Sequence, residues 1–349
     1  MNKKLLSLAV GAALGTAPMI GAQAADVKVY GQVQAEVASE SSDPPLLFAT
    51  DGRVVQGGNN QFQDNITMED NARGRYGLTA SEDLGNGLTA IAKIEYDLGS
   101  TTDGGGPTQR DTLVGLKGGF GEFQAGRLKS AYKYTGGVKY DPFVTTNLEA
   151  RRYGGMTTGV FGHNSFVSNH LGYKNDLGAV GLWITYSPDE QSGTDGDMTA
   201  SVKFGGGAWE AFGALAHDDD ADGAGNAYDV FKVGGQYRMG PHKLSGQWES
   251  GTDESGGVDA DGSLLFLGYQ FKTGNTTLAA QMGTGTVEFD IAGADDQEST
   301  YFALGAIHKF SKQTRIFGGF ASMEVENAVG LSANDGDRDV VTAGLRMDF

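Results

Sequence analysis

The chain has 349 residues, with 44 acids against 26 lysines and arginines, five histidines, no cysteine and a formal charge of −18. Such acidity excludes nucleic acid as a partner, because phosphate binding needs a basic surface. The missing cysteines exclude thiolate chemistry and a disulfide framework.

The first element is a leader. Lys3 and Lys4 precede an apolar stretch, Leu5 to Leu14, too short to span a bilayer as a helix, and Ala22-Gln23-Ala24 forms an A-x-A cleavage site. Residues 1–24 read as a secretory signal peptide and 25–349 as one β-barrel domain. Losing Lys3 and Lys4 brings the charge to about −20. No later run of eighteen apolar residues offers a membrane helix. A membrane barrel needs none, because only alternate residues of each strand meet lipid.

Period-two alternation follows at once. Val27, Val29, Gly31, Val33, Ala35 and Val37 alternate with Lys28, Tyr30, Gln32, Gln34 and Glu36. Leu88, Ala90, Ala92, Ile94, Tyr96 and Leu98 repeat the pattern against Thr89, Lys93, Glu95 and Asp97. At the C-terminus Val341, Ala343, Leu345, Met347 and Phe349 alternate with Thr342, Gly344, Arg346 and Asp348. Alternation alone fits a sandwich as well as a barrel, and the connectors separate the two. Short links fall near Gly85-Asn86-Gly87, Gly118-Gly119, Asn175-Asp176, Gly205-Gly206-Gly207, Gly240-Pro241, Thr273-Gly274-Asn275 and Ser311-Lys312-Gln313. Long links span roughly 40–65, 99–109, 129–164, 187–197, 217–228, 252–262, 290–299 and 325–337. The alternation of short and long links predicts an all-β fold, a sixteen-stranded antiparallel transmembrane β-barrel with short periplasmic turns and long external loops. Tyr30, Tyr96, Phe120, Phe123, Tyr173, Tyr186, Tyr237, Phe271, Phe310 and Phe349 lie near strand ends, where rings form interfacial girdles.

Four segments carry a resemblance. They are Arg75-Tyr76-Gly77-Leu78-Thr79-Ala80-Ser81-Glu82-Asp83-Leu84-Gly85-Asn86-Gly87-Leu88, Val114 to Phe123 with Gly126-Arg127, His308 to Thr314, and Gly344 to Phe349. In this order they resemble the Gram-negative general porins of the neisserial and β-proteobacterial type. Gln313 stands where that family usually has arginine, and the loops here are unusually acidic. The resemblance implies a homotrimer in the outer membrane of a Gram-negative bacterium, among lipid and lipopolysaccharide, with the third loop folded into the lumen. It also implies that Phe349 is a signal for the barrel-assembly machinery.

A channel makes no bonds; it sets a diameter and a field at its narrowest point. The longest connector, 129–164, is the candidate constriction loop, and its Tyr140-Asp141-Pro142-Phe143 stretch resembles the family's loop. Asp141, Glu149, Arg151 and Arg152 on this loop, facing Arg75 and Arg127 on the wall, are the candidate constriction residues. Lys28, Lys93, Arg110 and Lys117 are candidate lumen-wall residues, with a rim position or pairing to Glu36, Glu95 or Asp97 as the alternative. Asp218, Asp220, Asp222, Gly223 and Asp229 have the spacing of a calcium loop without its flanking helices, so a loop-bound calcium or a solvated acidic hairpin are both open.

No other cofactor is expected. The five histidines lack paired metal spacing and no nucleophile elbow or phosphate loop occurs, so no enzyme is expected. The reading is a passive general-diffusion channel for ions and small hydrophilic solutes. A substrate-specific outer-membrane channel, a barrel hydrolase and a secreted β-rich calcium-binding adhesin remain as alternatives. The acidic loops lead to an expectation of weak cation preference at low salt.

Overall fold

The computed structural model describes residues 25–43, 46–48, 54–56, 65–69, 74–99, 101, 107–150, 161, 166–188, 197–218, 226–254, 258–327 and 335–349. The leader, Arg151, Arg152, Asp220 and Asp222 lie outside the described residues.

Sixteen staves close one antiparallel barrel. They are β1 (Asp26–Asp43), β2 (two pieces, Asn65–Glu69 and Arg75–Gly85), β3 (Leu88–Asp97), β4 (Gln109–Gly118), β5 (Gly121–Lys129), β6 (Phe166–Leu177), β7 (Val180–Tyr186) and β8 (Met198–Gly206). Then follow β9 (Trp209–Asp218), β10 (Tyr228–Met239), β11 (His242–Asp253), β12 (Ala260–Thr273), β13 (Thr276–Phe289), β14 (Gln297–Lys309), β15 (Thr314–Glu326) and β16 (Gly336–Asp348). Both pieces of β2 pair with β1. The first long link contains a small ribbon of Leu46–Phe48 and Val54–Gln56.

The alternation has the opposite polarity to that of a soluble protein. Along β1, Val27, Val29, Val33 and Val37 are 42–69% exposed, whereas Gln32, Gln34, Glu36 and Glu40 are at most 6% exposed. Apolar residues thus face outward and polar ones inward, which is the pattern that lipid outside and water inside demand. The outward rings meet in pairs: Tyr76 stacks on Tyr96 at 6.0 Å and Phe123 lies 4.8 Å from Tyr173. Tyr30, expected in the girdle, is in the inward phase, and its hydroxyl donates to Glu95 at 2.6 Å.

Closure joins the two ends. β1 pairs with β16 from Gln32↔Asp348 to Asp43↔Asp337. Gly31 then exchanges two backbone bonds with Phe349, at 2.9 and 3.0 Å. A Cβ on Gly31 would lie 2.4 Å from the Phe349 ring and 2.6 Å from the Arg75 carbonyl, so a larger residue would disturb the seam.

One short turn is displaced from its expected place. Asn175 and Asp176 continue β6 in register with Leu182 and Gly181, and the turn falls at Gly178-Ala179. A β-bulge lies where β3 meets β4: the register shifts between Ile94 and Tyr96. Arg110 and Asp111 are consecutive yet both buried, because a bulge breaks the alternation and re-aims a side chain.

The outward face makes a direct prediction. Leu267 lies mid-strand on β12 and is 45% exposed. Leu267→Arg places a charge against hydrocarbon and should cost about 2–4 kcal/mol, read as a lower denaturant midpoint for unfolding from vesicles. An unchanged midpoint would mean that this face does not meet lipid.

Candidate functional site

The third long link leaves β5 and folds back inside the barrel. Its described part, 130–150, is almost fully buried: Ser130, Ala131, Tyr132, Phe143, Leu148, Glu149 and Ala150 are each 0% exposed. The loop follows the inner wall from β8 to β16 and on to β1. Ala131 N–H donates to Thr199 at 2.9 Å, and Thr135 donates to Ser201 at 2.8 Å. Gly137 N–H, which opens the one-turn helix α1 (Gly137–Tyr140), donates to Gln247 at 2.6 Å. Tyr301 and Gln281 both donate to the Leu148 carbonyl, at 2.5 and 3.1 Å. Asn147 N–H donates to Glu36 at 3.0 Å.

Apolar packing fixes the same course. Tyr140, Phe143 and Leu148 join Phe212, Leu264, Phe266, Tyr301 and Met323 in one buried cluster. The inner wall there breaks its polar pattern to receive the loop. Gly319 is part of that seat: a Cβ would lie 2.8 Å from Leu148 Cδ1 and 2.2 Å from the Leu304 carbonyl. At the loop's tip, Thr145 has φ 82, a costly conformation for a β-branched residue that persists only when neighbours impose it. Three groups do: Gln34 donates to its carbonyl, Arg346 donates to its hydroxyl at 3.0 Å, and its N–H donates to Glu149 at 2.8 Å.

Facing the loop, β1 to β5 carry a charged ladder. Arg75 donates to Gln32 at 2.8 Å and lies 4.0 Å from Glu95. Arg110 donates to Glu95 and to Asp97, both at 2.6 Å. Lys93 pairs with Glu95 at 3.4 Å and with Asp111, which Lys129 also reaches at 3.2 Å. Tyr134 on the loop accepts two cations on its ring, Lys129 at 5.2 Å and Lys139 at 5.6 Å. Lys139 is the exposed residue in an otherwise buried run from Gly136 to Asp141. Its ammonium shares the Tyr134 ring with that of Lys129, and burial by the surrounding loop and wall, then the Lys129 and Arg75 charges, lower its pKa.

The candidate residues divide accordingly. Arg75, Lys93 and Arg110 meet in the lumenal ladder. Arg127 meets them at one remove: in the phase of Phe123 and Ala125, it donates to the Gln109 carbonyl at 3.2 Å and to Ser168 at 2.6 Å, and its guanidinium lies 5.7 Å from the Phe166 ring, over which Arg110 also lies at 4.7 Å. Lys28 sits at the turn-side rim, 73% exposed and paired with Asp26 at 3.2 Å. Lys117 is exposed at the turn-side end of β4. Asp141 and Glu149 are buried and spend their oxygens on the loop itself, Asp141 accepting Phe143 N–H at 2.8 Å and Ala150 N–H at 2.9 Å. The expected field between loop carboxylates and wall arginines is therefore not what the described residues form.

Asp229 lies in β10, 2.6 Å from His217, while Asp220 and Asp222 of the same candidate loop lie outside the described residues. Among the described residues no three carboxylates or histidines gather as a metal site. Lys93 and Arg110 pair with Glu95 and Asp97, the alternative named for them, and Asp111, Lys129, Tyr134 and Lys139 belong to the site without having been singled out. The adjacent charges Arg110-Asp111, which break period two, are the signal that marks their bulge.

A barrel of sixteen staves with its third loop seated inside has a counterpart in sequence. The family model described as Gram-negative porin matches residues 8–328. The chain belongs to the Gram-negative porin family. This porin is 35% identical over 138 residues to the major outer membrane protein P.IB of Neisseria meningitidis (serogroup B / serotype 15, strain H44/76), covering 40% of this chain and 37% of that protein. It is 29% identical over 203 residues to P.IB of Neisseria gonorrhoeae, covering 56% and 51%. The matched segment thus spans between about a third and a half of these curated relatives. Among solved structures, the anion-selective porin from Comamonas acidovorans superposes with a TM-score of 0.74 at 22% identity, covering 93% of this chain and 100% of that one. The trimer form of OmpT from Vibrio cholerae gives 0.69 at 16% identity, covering 94% and 100%. Family and barrel place the porin in the outer membrane.

The loop anchor carries a pH prediction. Burial, followed by the Glu149 carboxylate beside it, pushes the pKa of Asp141 up to about 7. Between 3.8 and about 7 the seated loop holds a proton that a released loop loses. Seating is therefore strongest below that window and weakens as pH rises through it. Amide-exchange protection at Phe143 and Ala150, corrected for intrinsic rates, should fall about tenfold or more from pH 5 to pH 8. Asp141→Asn should flatten the dependence; equal protection at both pH values in the parent would contradict it.

Proposed function

We propose that the protein is a passive general-diffusion channel for ions and small hydrophilic solutes, assembled as a homotrimer, whose narrowest section is basic. The supporting observation is the seated third loop. Its carboxylates are turned into its own backbone, and Lys139 projects toward a wall holding Arg75, Lys93, Arg110 and Lys129 against Glu95, Asp97 and Asp111. In a lumen with low-dielectric walls such an excess repels cations and concentrates anions. The selectivity of the narrowest section is therefore for anions, in place of the weak cation preference that the acidic loops alone suggest. The trimer rests on the likeness to OmpT, whose solved structures include a trimer form, and on the apolar outward face of β1. By the same reading, export depends on the leader 1–24, and Phe349 serves as an assembly signal.

Purified protein in a planar bilayer tests this reading. It should give long-lived conductance steps that close in thirds, and the reversal potential across a KCl gradient should have the sign of anion preference. Arg75→Gln with Lys129→Gln should move that potential toward the cation side, by about 5–10 mV. Folded protein that gives no steps would refute the channel. Steps with cation preference in 1 M salt would refute the basic constriction.

A further inference from the structure

The charge of the barrel is segregated along its axis. Residues 212–232, 248–268, 280–305 and 318–343 form the loop-side halves of β9–β16 with their links, and they contain two basic residues besides histidine, Lys232, buried and in register with Glu249, and Arg338. That arginine is 0% exposed and 2.9 Å from Glu40. The turn-side stretches 233–247, 269–279 and 306–317, from β10 to β15, contain no aspartate or glutamate, while the turn-side ends of β9 and β16 hold Glu210 and Asp348, each paired with a cation.

Opposite-charge pairing accounts for only part of this pattern: Asp348 lies 2.6 Å from Arg315 and 2.7 Å from Arg346, and Lys232 is in register with Glu249. On the loop side Asp261 is in register with Glu288, and Glu298 with Glu326. On the turn side Arg238 is in register with Lys243, and Arg315 with both Lys309 and Arg346. Like charges directly opposite one another weaken a sheet. The turn-side cations Arg238, Lys243, Lys272 and Lys309 fall on the inward phase, alternating with the outward rings Tyr237 and Tyr269 and the outward Leu244.

We infer that the porin rectifies ionic current, with an acidic mouth on the loop side in series with a basic collar on the turn side. The inference rests on the channel reading above. In the mouth the mobile carriers are cations; in the collar they are anions. A voltage positive on the loop side drives cations inward from the mouth and anions outward from the collar, so both accumulate where the zones meet and conductance rises. The opposite voltage withdraws both and depletes the junction. The zones must act separately, and they do at 0.1 M salt, where screening reaches about 10 Å in a barrel about 25 Å tall. At 1 M it reaches only about 3 Å and the effect disappears.

The chain has no cysteine, so Ala292→Cys in the link between β13 and β14 reports orientation by its reaction with a membrane-impermeant thiol reagent added to one chamber. In uniformly oriented channels at 0.1 M KCl, current with the loop side positive should exceed the reverse by about 1.5-fold or more, and the ratio should approach 1 at 1 M. A combined Arg238→Gln, Lys243→Gln, Lys272→Gln and Lys309→Gln variant should remove the asymmetry at low salt. Linear current at 0.1 M, the opposite polarity, or asymmetry that survives 1 M salt would each overturn the inference while leaving the channel standing. Absence of any steps would instead overturn the channel reading. Should the variant fail to fold, the salt series on the parent decides alone.

Discussion

A sheet in hydrocarbon has no water to satisfy its edges, and each unmet N–H or C=O costs several kcal/mol. The rest of this molecule follows from closing the edge between β1 and β16. The seam runs the length of β16 along Gln32–Asp43 of β1 and ends where Gly31 and Phe349 exchange backbone bonds. Once the ring is closed, every strand has one side in lipid and one in the lumen, so the apolar residues that would form a core elsewhere must turn outward. Val33 and Leu267 are exposed for the same reason that Gln34 and Gln281 are buried.

Closure leaves an interior that must be furnished differently on its two sides. Along β9–β15 the inner wall sets Phe212, Leu264, Phe266 and Ala303 as an apolar seat for the loop among buried polar anchors such as Gln247 and Gln281. Along β1–β5 it is charged and internally paired, with Glu95 held by Tyr30, Lys93 and Arg110 together. The loop is anchored on one side, presents Lys139 to the other, and so sets what passes between them. Its seating is secured by hydrogen bonds to buried groups that would otherwise be unmet, including the strained Thr145.

Period two was enough to read the outer face, since it depends only on which residues alternate: Val27 to Val37 and Leu88 to Leu98 show it without any tertiary knowledge. Loop and turn lengths were enough for the strand count. The site was less legible. Arg110 and Asp111 share the lumen because a bulge breaks the alternation, and Arg127, in the phase of Phe123, reaches Arg110 only across the Phe166 ring. Asp141 and Glu149 look like channel-lining acids until the loop backbone is known, since they accept from the Phe143, Ala150 and Thr145 amides. The seat itself left a readable mark: Leu264-Leu265-Phe266-Leu267 is apolar on both faces, so that stave must pack on both sides.

The central claim is that the seated loop holds Lys139 in the conducting path, opposite the basic wall. Because the chain lacks cysteine, Lys139→Cys gives a single reactive site. A membrane-impermeant, negatively charged thiol reagent added during single-channel recording should reduce the open conductance in up to three discrete decrements and shift the reversal potential toward cations. A reaction that leaves both unchanged, or a cysteine that cannot be reached in the open channel, would contradict the account.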